Sequence, residues 1–295
     1  MLEHIKKHRY KILCIAPLLI FLLIFTFLPI AQVIILSFQP AAKTDSVTPP
    51  GSGDNFTLAH YQDLFFQKDF RQAFFNTVFI AFLSLALELS LGLSFALLLC
   101  KNSKIIRFLR PLFILPLAIP TTVVGVMMSY LFTASGWLNR IFLNLRIIDS
   151  PIYWMSGGVK SLLMIALADC WKVTPLVMLI LLAGIQSIDT SLYKAARIDG
   201  AGSFYIFKRI TLPLLLPSIT AAVIIRGIDA FRIFALPLIL MGQNLKVIGT
   251  FAYLEYSEFN NPYVSAASAV LLLIMILSAV LFYIKVVGKK GIVPA

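Results

Sequence analysis

Five ionisable residues stand inside long apolar runs of the sequence: Glu88, Asp169, Lys172, Arg226 and Asp229. An ionisable group at membrane depth is costly, and it faces either a polar cavity or another charge. These residue types fit two chemistries. They can form a structural network of ion pairs, or they can line a path and bind the hydroxyl groups of a hydrophilic substrate through charge-assisted hydrogen bonds.

The positions of the five residues along their helices allow both chemistries. At ~1.5 Å of helix per residue, all five lie roughly 18–24 Å from the predicted inner face, so pairing between helices is possible. Pairs three residues apart can also meet on one helix. We expect a structural role for Glu88. The candidate lining of a path is Asp169, Lys172, Val173, Leu176, Ile225, Arg226 and Asp229.

The elements that must position these residues are membrane-spanning helices. The chain is 60% hydrophobic and 13% charged, with a mean hydropathy of +0.92, and this composition is typical of an all-α integral membrane protein. A span needs about 20 apolar residues. We predict a cytoplasmic N-terminus at 1–11, then one membrane domain over 12–295. Its expected spans are 12–38, 72–100, 111–133, 160–184, 213–239 and 264–286.

The basic residues predict the orientation. Six spans place 15 of the 25 lysines and arginines on one side, which the positive-inside rule makes the cytoplasm. Both termini are then cytoplasmic, and the net charge of +12 needs no nucleic acid. The loops 39–71, 134–159 and 240–263 face outward, and the stretch LAHYQDLF in the first of them has the pattern of a short surface helix.

The sequence offers little for an enzyme. It lacks a phosphate-binding loop pattern, an HExxH motif and a G-x-S-x-G motif, so we expect no catalytic residue in this chain. Cys14, Cys100 and Cys170 have no metal-ligand or disulfide spacing, and we expect no metal site. His4, His8 and His60 are scattered and are expected to be solvated.

One charged, glycine-containing stretch interrupts the apolar sequence: YKAARIDGAGSFYIFKRITLPLLLPS, from Tyr193 to Ser218. Thr190 or Ser191 can cap a short helix, and Gly200 can end it. Ser203 can cap a second short helix before the next span. The pattern predicts two short helices that project into the cytoplasm. They either lie on the lipid surface or dock with a cytoplasmic partner.

The same stretch closely resembles the EAA loop of binding-protein-dependent ABC importers, whose pattern is roughly E-A-A-x-x-D-G-A followed by F-x-x-I-x-L-P-x-x-x-P. The runs at 76–99 and 169–189, with the W-x-x-x-P element from Trp171 to Pro175, are similar to the maltose-permease-like, carbohydrate branch. The matching positions in the loop are Lys194, Ala195, Ala196, Asp199, Gly200, Ala201, Phe207, Ile210, Leu212, Pro213 and Pro217.

The resemblance implies a six-helix inner-membrane permease that imports a sugar or oligosaccharide. The loop at 185–212 would be the coupling helix, seated in a groove of an ATPase subunit. Its expected contact residues are Lys194, Ala195, Ala196, Asp199, Gly200, Ala201, Phe204 and Phe207.

The resemblance also implies the partners of the chain. They are a second permease, two ATP-binding subunits, an extracytoplasmic binding protein and the lipid bilayer. ATP and magnesium would belong to the ATPase, and this chain would bind no cofactor. The helices that carry the W-x-x-x-P element and that follow the coupling loop would contribute sugar contacts.

Two positions depart from the family pattern. The family glutamate is Lys194, and the outer TGGGP-like turn is replaced by MGQNL at 241–245. An alternative function is a secondary transporter or channel that uses the intramembrane charges, although six spans contain no duplicated half. A membrane anchor would leave those charges unexplained.

Overall fold

The computed structural model describes residues 15–40, 56–100 and 104–288, and it is helical without strands in these ranges. We number the helices in chain order. They are α1 Ile15–Ser37, α2 Ala59–Phe66, α3 Lys68–Leu99, α4 Lys104–Ala118, α5 Thr121–Phe132, α6 Trp137–Asn144, α7 Gly158–Ser187, α8 Thr190–Ile198, α9 Ser203–Phe231, α10 Ala235–Met241, α11 Ile248–Ser257 and α12 Pro262–Val286.

Six stretches among the described residues are long and apolar enough to cross a membrane. Five of them are α1, α3, α7, α9 and α12, and the sixth is the α5–α6 pair at Thr121–Asn144. The expected third span, 111–133, instead covers the end of α4 and all of α5. The chain is non-helical at Ile119 and Pro120, because a residue before proline is disfavoured in helical conformation. The limits of the spans in the bilayer stay predictions.

The fifth apolar helix begins earlier and ends earlier than the expected range 213–239. Helix α9 starts at Ser203 and passes through a wider π-turn at Phe207–Thr211 before Pro213. Because proline has no N–H to donate, the wider turn lets the helix continue past it. After Phe231 the chain leaves the helix, and α10 begins anew with Pro237 in its first turn, where the missing N–H costs nothing.

The chain divides into two compact units. The first comprises residues up to Lys68 together with Phe251–Leu271. The expected surface helix in LAHYQDLF is present as α2. The prediction that His60 is solvated is wrong: its Nε2 lies 2.8 Å from the carbonyl oxygen of Gln39, its ring stacks on Tyr263, and it is buried. His4 and His8 lie outside the described residues.

Helix α1 presents an apolar surface along nearly its whole length. None of its most apolar window is buried within the chain, and its side chains from Leu18 to Ile35 are largely exposed. An apolar helix of this length with every face uncovered is suited to lipid contact.

The second unit comprises Asp69–Thr250 and the chain from Leu272 onward. Helix α7 is its most buried span, with 61% of its apolar window inside the protein. A cluster of buried side chains joins α7 to α5 and α10, and another joins α7 to α3, α4 and α9. Gly92 lets α3 approach α7 closely, because a Cβ there would lie 2.8 Å from a methyl carbon of Val177.

The segment after α10 is anchored to the start of α3 within this unit. Gly242 ends α10 at a φ of +53°, and Leu245 and Val247 are buried. Lys246 donates to Asp69 at 2.7 Å. The MGQNL sequence at 241–245 therefore leads into a packed connection.

Candidate functional site

Three of the intramembrane charges form one buried ion-pair cluster, which we call the Arg226 triad: Glu88 on α3, Asp169 on α7 and Arg226 on α9. Arg226 Nε lies 2.5 Å from Glu88 Oε2, and Nη2 lies 2.9 Å from Glu88 Oε1. The same Nη2 also donates to Asp169 Oδ2. The side-chain exposures are 3% for Arg226, 0% for Glu88 and 8% for Asp169. One guanidinium thus ties three helices together.

Sequence spacing allowed Arg226 to pair either within its own helix or with other helices, and the structure shows which of these occurs. Arg226 pairs with two other helices and not with Asp229, its neighbour three residues along α9. Asp229 instead accepts a hydrogen bond from Arg232 at 2.9 Å, and this pair is substantially exposed. The similar depths of Glu88, Asp169 and Arg226 were the signal in the sequence that could have selected the pairing.

The other candidate path residues lie outside the triad. Lys172, Val173 and Leu176 on α7 are half-buried, and Ile225 on α9 is 48% exposed. In the described part of the chain no carboxylate lies within 4 Å of the Lys172 ammonium group. The structure therefore separates Asp169 and Arg226, which form ion pairs with each other and with Glu88, from Lys172, which has no ion-pair partner among the described residues.

The W-x-x-x-P element lines an apolar cavity of about 420 Å³ between α3, α4 and α7. Trp171 and Pro175 form part of its wall, with Phe95 and Phe113 opposite. Lys172 and Val173 are not among the lining residues. The chemistry of this cavity suits an apolar occupant more than a sugar.

The coupling segment, residues 185–212, begins with a capped helix. Asp189 is the N-cap of α8, and its side chain accepts a hydrogen bond from the Ser191 N–H at 2.9 Å. The prediction of Thr190 or Ser191 as the cap is wrong, because Asp189 precedes them and is an equally strong capping residue. The hydrogen bond from Ser191 lowers the pKa of the exposed Asp189 carboxyl below its ordinary value.

Helix α8 ends at Ile198, and Gly200 stops it from continuing, as the sequence predicts. Gly200 has a φ of +78°, the left-handed conformation that favours glycine. The Ala201 N–H donates to the Ala196 carbonyl at 2.9 Å, and the Gly200 N–H donates to the Arg197 carbonyl at 3.1 Å. These two bonds form a Schellman motif, which fixes how the chain leaves α8.

The second half of the segment differs from the predicted short helix capped by Ser203. Gly202 occupies the N-cap position, no side chain caps it, and Ser203 is the first helical residue. The helix does not stop but runs on as α9. The Tyr193 hydroxyl lies 3.3 Å from Thr211 Oγ1, so α8 also contacts α9 at the end of its π-turn.

Four large apolar side chains of the segment are exposed, and two of them, Ile198 and Phe204, are more exposed than Leu192 and Tyr205. Ile198 is 86% exposed and Phe204 is 75% exposed, and the Gly200 turn lies between them. Ala196 is buried against its own chain, and Phe207 is only half-exposed. A concavity of about 830 Å³ lies along the segment, lined by Leu192, Ala195, Ala196, Asp199, Gly200, Ala201, Gly202, Tyr205, Arg209 and Ile210. Ile198 was missed in the sequence because the family pattern leaves its position unspecified.

Basic side chains surround these apolar groups. Lys194, Arg197, Lys208 and Arg209 are exposed, and within the described residues none of them has a carboxylate in ion-pairing distance. On α8, Lys194 and Ile198 are four residues apart and share one helical face. The segment therefore presents an apolar ridge with cationic groups beside it.

These features are those of a polytopic helical membrane protein with an exposed amphipathic segment between two of its apolar helices. Residues 88–286 match the family described as "Binding-protein-dependent transport system inner membrane component". The chain belongs to this family, and it is a permease component of an ABC importer.

Several characterised proteins are similar to the chain over most of its length. The trehalose/maltose transport system permease protein MalF of Thermococcus litoralis is 35% identical over 279 residues, covering 93% of this chain and 92% of that protein. The arabinooligosaccharides transport system permease protein AraP of Bacillus subtilis is 32% identical over 289 residues, covering 94% and 88% respectively.

A solved structure shares the fold. It is the crystal structure of a bacterial ABC transporter involved in the import of the acidic polysaccharide alginate. The matching chain is 21% identical with a TM-score of 0.82, and the match covers 97% of this chain and 98% of that one. Membership of this family favours an ABC importer over the alternative of a secondary transporter or channel.

Proposed function

We propose that the chain is one of the two transmembrane permease subunits of an ATP-driven importer whose substrate is a disaccharide or short oligosaccharide. The observation that carries the substrate class is the 35% identity to a trehalose/maltose permease over 93% of the chain. The arabinooligosaccharide permease at 32% identity supports the same class. Lys172 is half-buried and has no carboxylate within 4 Å among the described residues, so its ammonium group is suited to hydrogen-bonding sugar hydroxyls.

The proposed energy input comes from a separate ATPase that docks on the coupling segment. Ile198 and Phe204 would enter a groove of that subunit, since large exposed apolar side chains are the usual anchors of an interface. ATP and magnesium would be held by the ATPase, and this chain would supply no catalytic group. Lys194, in place of the family glutamate, would meet an acidic residue or make no ion pair.

The proposed orientation places the coupling segment and both termini in the cytoplasm. The exposed Lys194, Arg197, Lys208 and Arg209 support this side, because basic residues near span ends are retained in the cytoplasm. A second permease would complete the translocation path, and an extracytoplasmic binding protein would deliver the sugar to the opposite face.

The experiment is a ligand screen followed by a reconstitution. The binding protein, ATPase and second permease of the same organism are purified, and the binding protein is tested with trehalose, maltose and arabino-oligosaccharides by calorimetry. We expect one sugar to bind, and we expect it to stimulate ATP hydrolysis only when this chain is present. Stimulation by an amino acid or an inorganic ion, with none by any sugar, would contradict the substrate class.

A further inference from the structure

The Arg226 triad joins α7 and α9, the two long helices that the coupling segment connects. Asp169 lies on α7, which ends at Ser187, two residues before the Asp189 cap of α8. Arg226 lies on α9, which runs without interruption from Ser203 to Phe231. Glu88 adds α3 to the same cluster. A guanidinium at membrane depth therefore ties α7, α9 and α3 to one another.

A second connection lies within the coupling segment, between α8 and α9. Tyr193 on α8 reaches Thr211 on α9 at 3.3 Å, and the Schellman turn at Gly200 closes the end of α8. The coupling segment therefore has its own contact between α8 and α9, and the triad joins α7 to α9 further along the helices. Because α8 is followed by α9 and both are linked in this way, we expect them to move together with α7, and Glu88 links α3 to the same set.

The geometry of the triad argues against a sugar-binding role. The three side chains are at most 8% exposed, and the Arg226 donors on Nε and Nη2 are occupied by carboxylates. It also argues against a purely stabilising role, because a buried ion pair is often no more stable than apolar side chains of similar volume. Two carboxylates facing one guanidinium are a still more expensive way to join helices. Compared with apolar packing, the triad fixes the relative orientation of the three helices, because the planar guanidinium holds both carboxylates in defined positions.

We propose that Arg226 is a positioning residue for energy coupling: it transmits movement of the coupling segment along α7 and α9 to α3. This inference rests on the proposed function. It adds a residue that would transmit the effect of ATPase docking to the helices inside the membrane. Removing the triad would leave docking intact while separating ATP hydrolysis from the state of the translocation path.

The test uses the complete complex in liposomes with the variant Glu88→Leu/Asp169→Leu/Arg226→Met, which removes all three charges of the triad together. Three quantities are measured: the amount of ATPase that co-purifies, the ratio of ATP hydrolysis with and without sugar-loaded binding protein, and uptake of radiolabelled maltose or trehalose. We expect normal co-purification, a hydrolysis ratio that falls to about one, and at least a tenfold loss of uptake.

The matched control removes an ion pair of the same unit that lies at the start of α3, 19 residues before Glu88. The variant Asp69→Leu/Lys246→Met eliminates the 2.7 Å contact between α3 and the segment after α10, and it should keep both the hydrolysis ratio and uptake within about twofold of wild type. Should the triple variant fail to assemble, Arg226→Lys decides. Lysine keeps the charge but lacks the fork, so we expect assembly with a hydrolysis ratio reduced severalfold.

Three outcomes would overturn the proposal. They are a triple variant with a wild-type hydrolysis ratio, an Arg226→Lys variant that is fully coupled, and a variant whose only defect is a higher sugar concentration for half-maximal uptake. The hydrolysis ratio depends on the binding protein and not on uptake. A wild-type complex that couples hydrolysis to another ligand would therefore contradict the sugar class while still testing Arg226.

Discussion

At the scale of single residues, Gly200 shows a requirement that comes from the backbone alone. Its φ is +78°, and a Cβ at this position would meet nothing within 4 Å. The space would accept a side chain, but the left-handed conformation costs an ordinary L-residue about 1–2 kcal/mol. The sequence could predict this position because glycine after a capped helix is a common helix stop.

We expect Gly200→Val to insert in the membrane normally but to disturb the turn between Ile198 and Phe204. Sugar uptake should fall severalfold while the chain remains as abundant as wild type. Gly200→Asn is the matched control, since asparagine tolerates the left-handed conformation, and it should retain most of the uptake. Normal transport by the valine variant would contradict a role for this turn in docking.

Asp189 gives a residue-scale prediction with a pH dependence. Its pKa is lowered by the Ser191 N–H, so its carboxylate stabilises α8 at pH values above the ordinary aspartate pKa. That contribution is lost as the pH falls through the lowered pKa. We expect Asp189→Ala to speed hydrogen exchange at the Ser191 amide at neutral pH, and Asp189→Asn to slow it relative to alanine. Equal exchange in all three proteins would show that the cap is unimportant.

At the scale of elements, the coupling segment is one short helix joined by a glycine turn to a long one. The helix α8 and its end could be predicted from the sequence, because both follow from local capping chemistry. The fusion of the second half with α9 could not, because the π-turn at Phe207–Thr211 depends on how the helix accommodates Pro213. Similarly, Asp189 competes with Thr190 and Ser191 for the cap, and local propensity alone does not separate them.

We expect apolar contacts of this segment to dominate its attachment to the ATPase. Ile198→Asp or Phe204→Asp should reduce ATPase co-purification at least tenfold, because burying a large apolar side chain contributes about 1.5–3 kcal/mol and a carboxylate would oppose it. Lys194→Glu is the comparison, since an exposed ion pair contributes only about 0–1 kcal/mol, and it should retain substantial uptake. Loss of ATPase binding in Lys194→Glu alone would show that electrostatics controls the interface.

At the scale of the whole molecule, the charges inside the membrane divide into two groups. The sequence predicts their depth, and depth makes pairing between helices possible. It does not predict that Arg226 selects Glu88 and Asp169 over Asp229, because that choice depends on the rotation of α3, α7 and α9 about their axes. Side-chain packing of the whole bundle sets those rotations.

Lys172 tests the sugar path separately from the triad. We expect Lys172→Met to lower sugar uptake severalfold by raising the sugar concentration needed for half-maximal uptake, because a free ammonium donor is lost. Complex abundance and the stimulation of ATP hydrolysis at saturating sugar should stay near wild type. Lys172→Arg, which keeps the charge and the donors, is the control. If Lys172→Met instead removes the assembled complex, Lys172 belongs to the structural network.

The proposed function requires that ATP hydrolysis drives sugar import and that the coupling segment transmits its energy to the membrane helices. The most direct measurement is the accumulation of radiolabelled maltose or trehalose in liposomes that hold the complete complex, with ATP on the side of the ATPase and loaded binding protein on the other. We expect accumulation above the outside concentration. It should require ATP, binding protein and this chain, and Phe204→Asp should abolish it. Uptake that proceeds without ATP or binding protein, or that stops at equal concentrations, would contradict it.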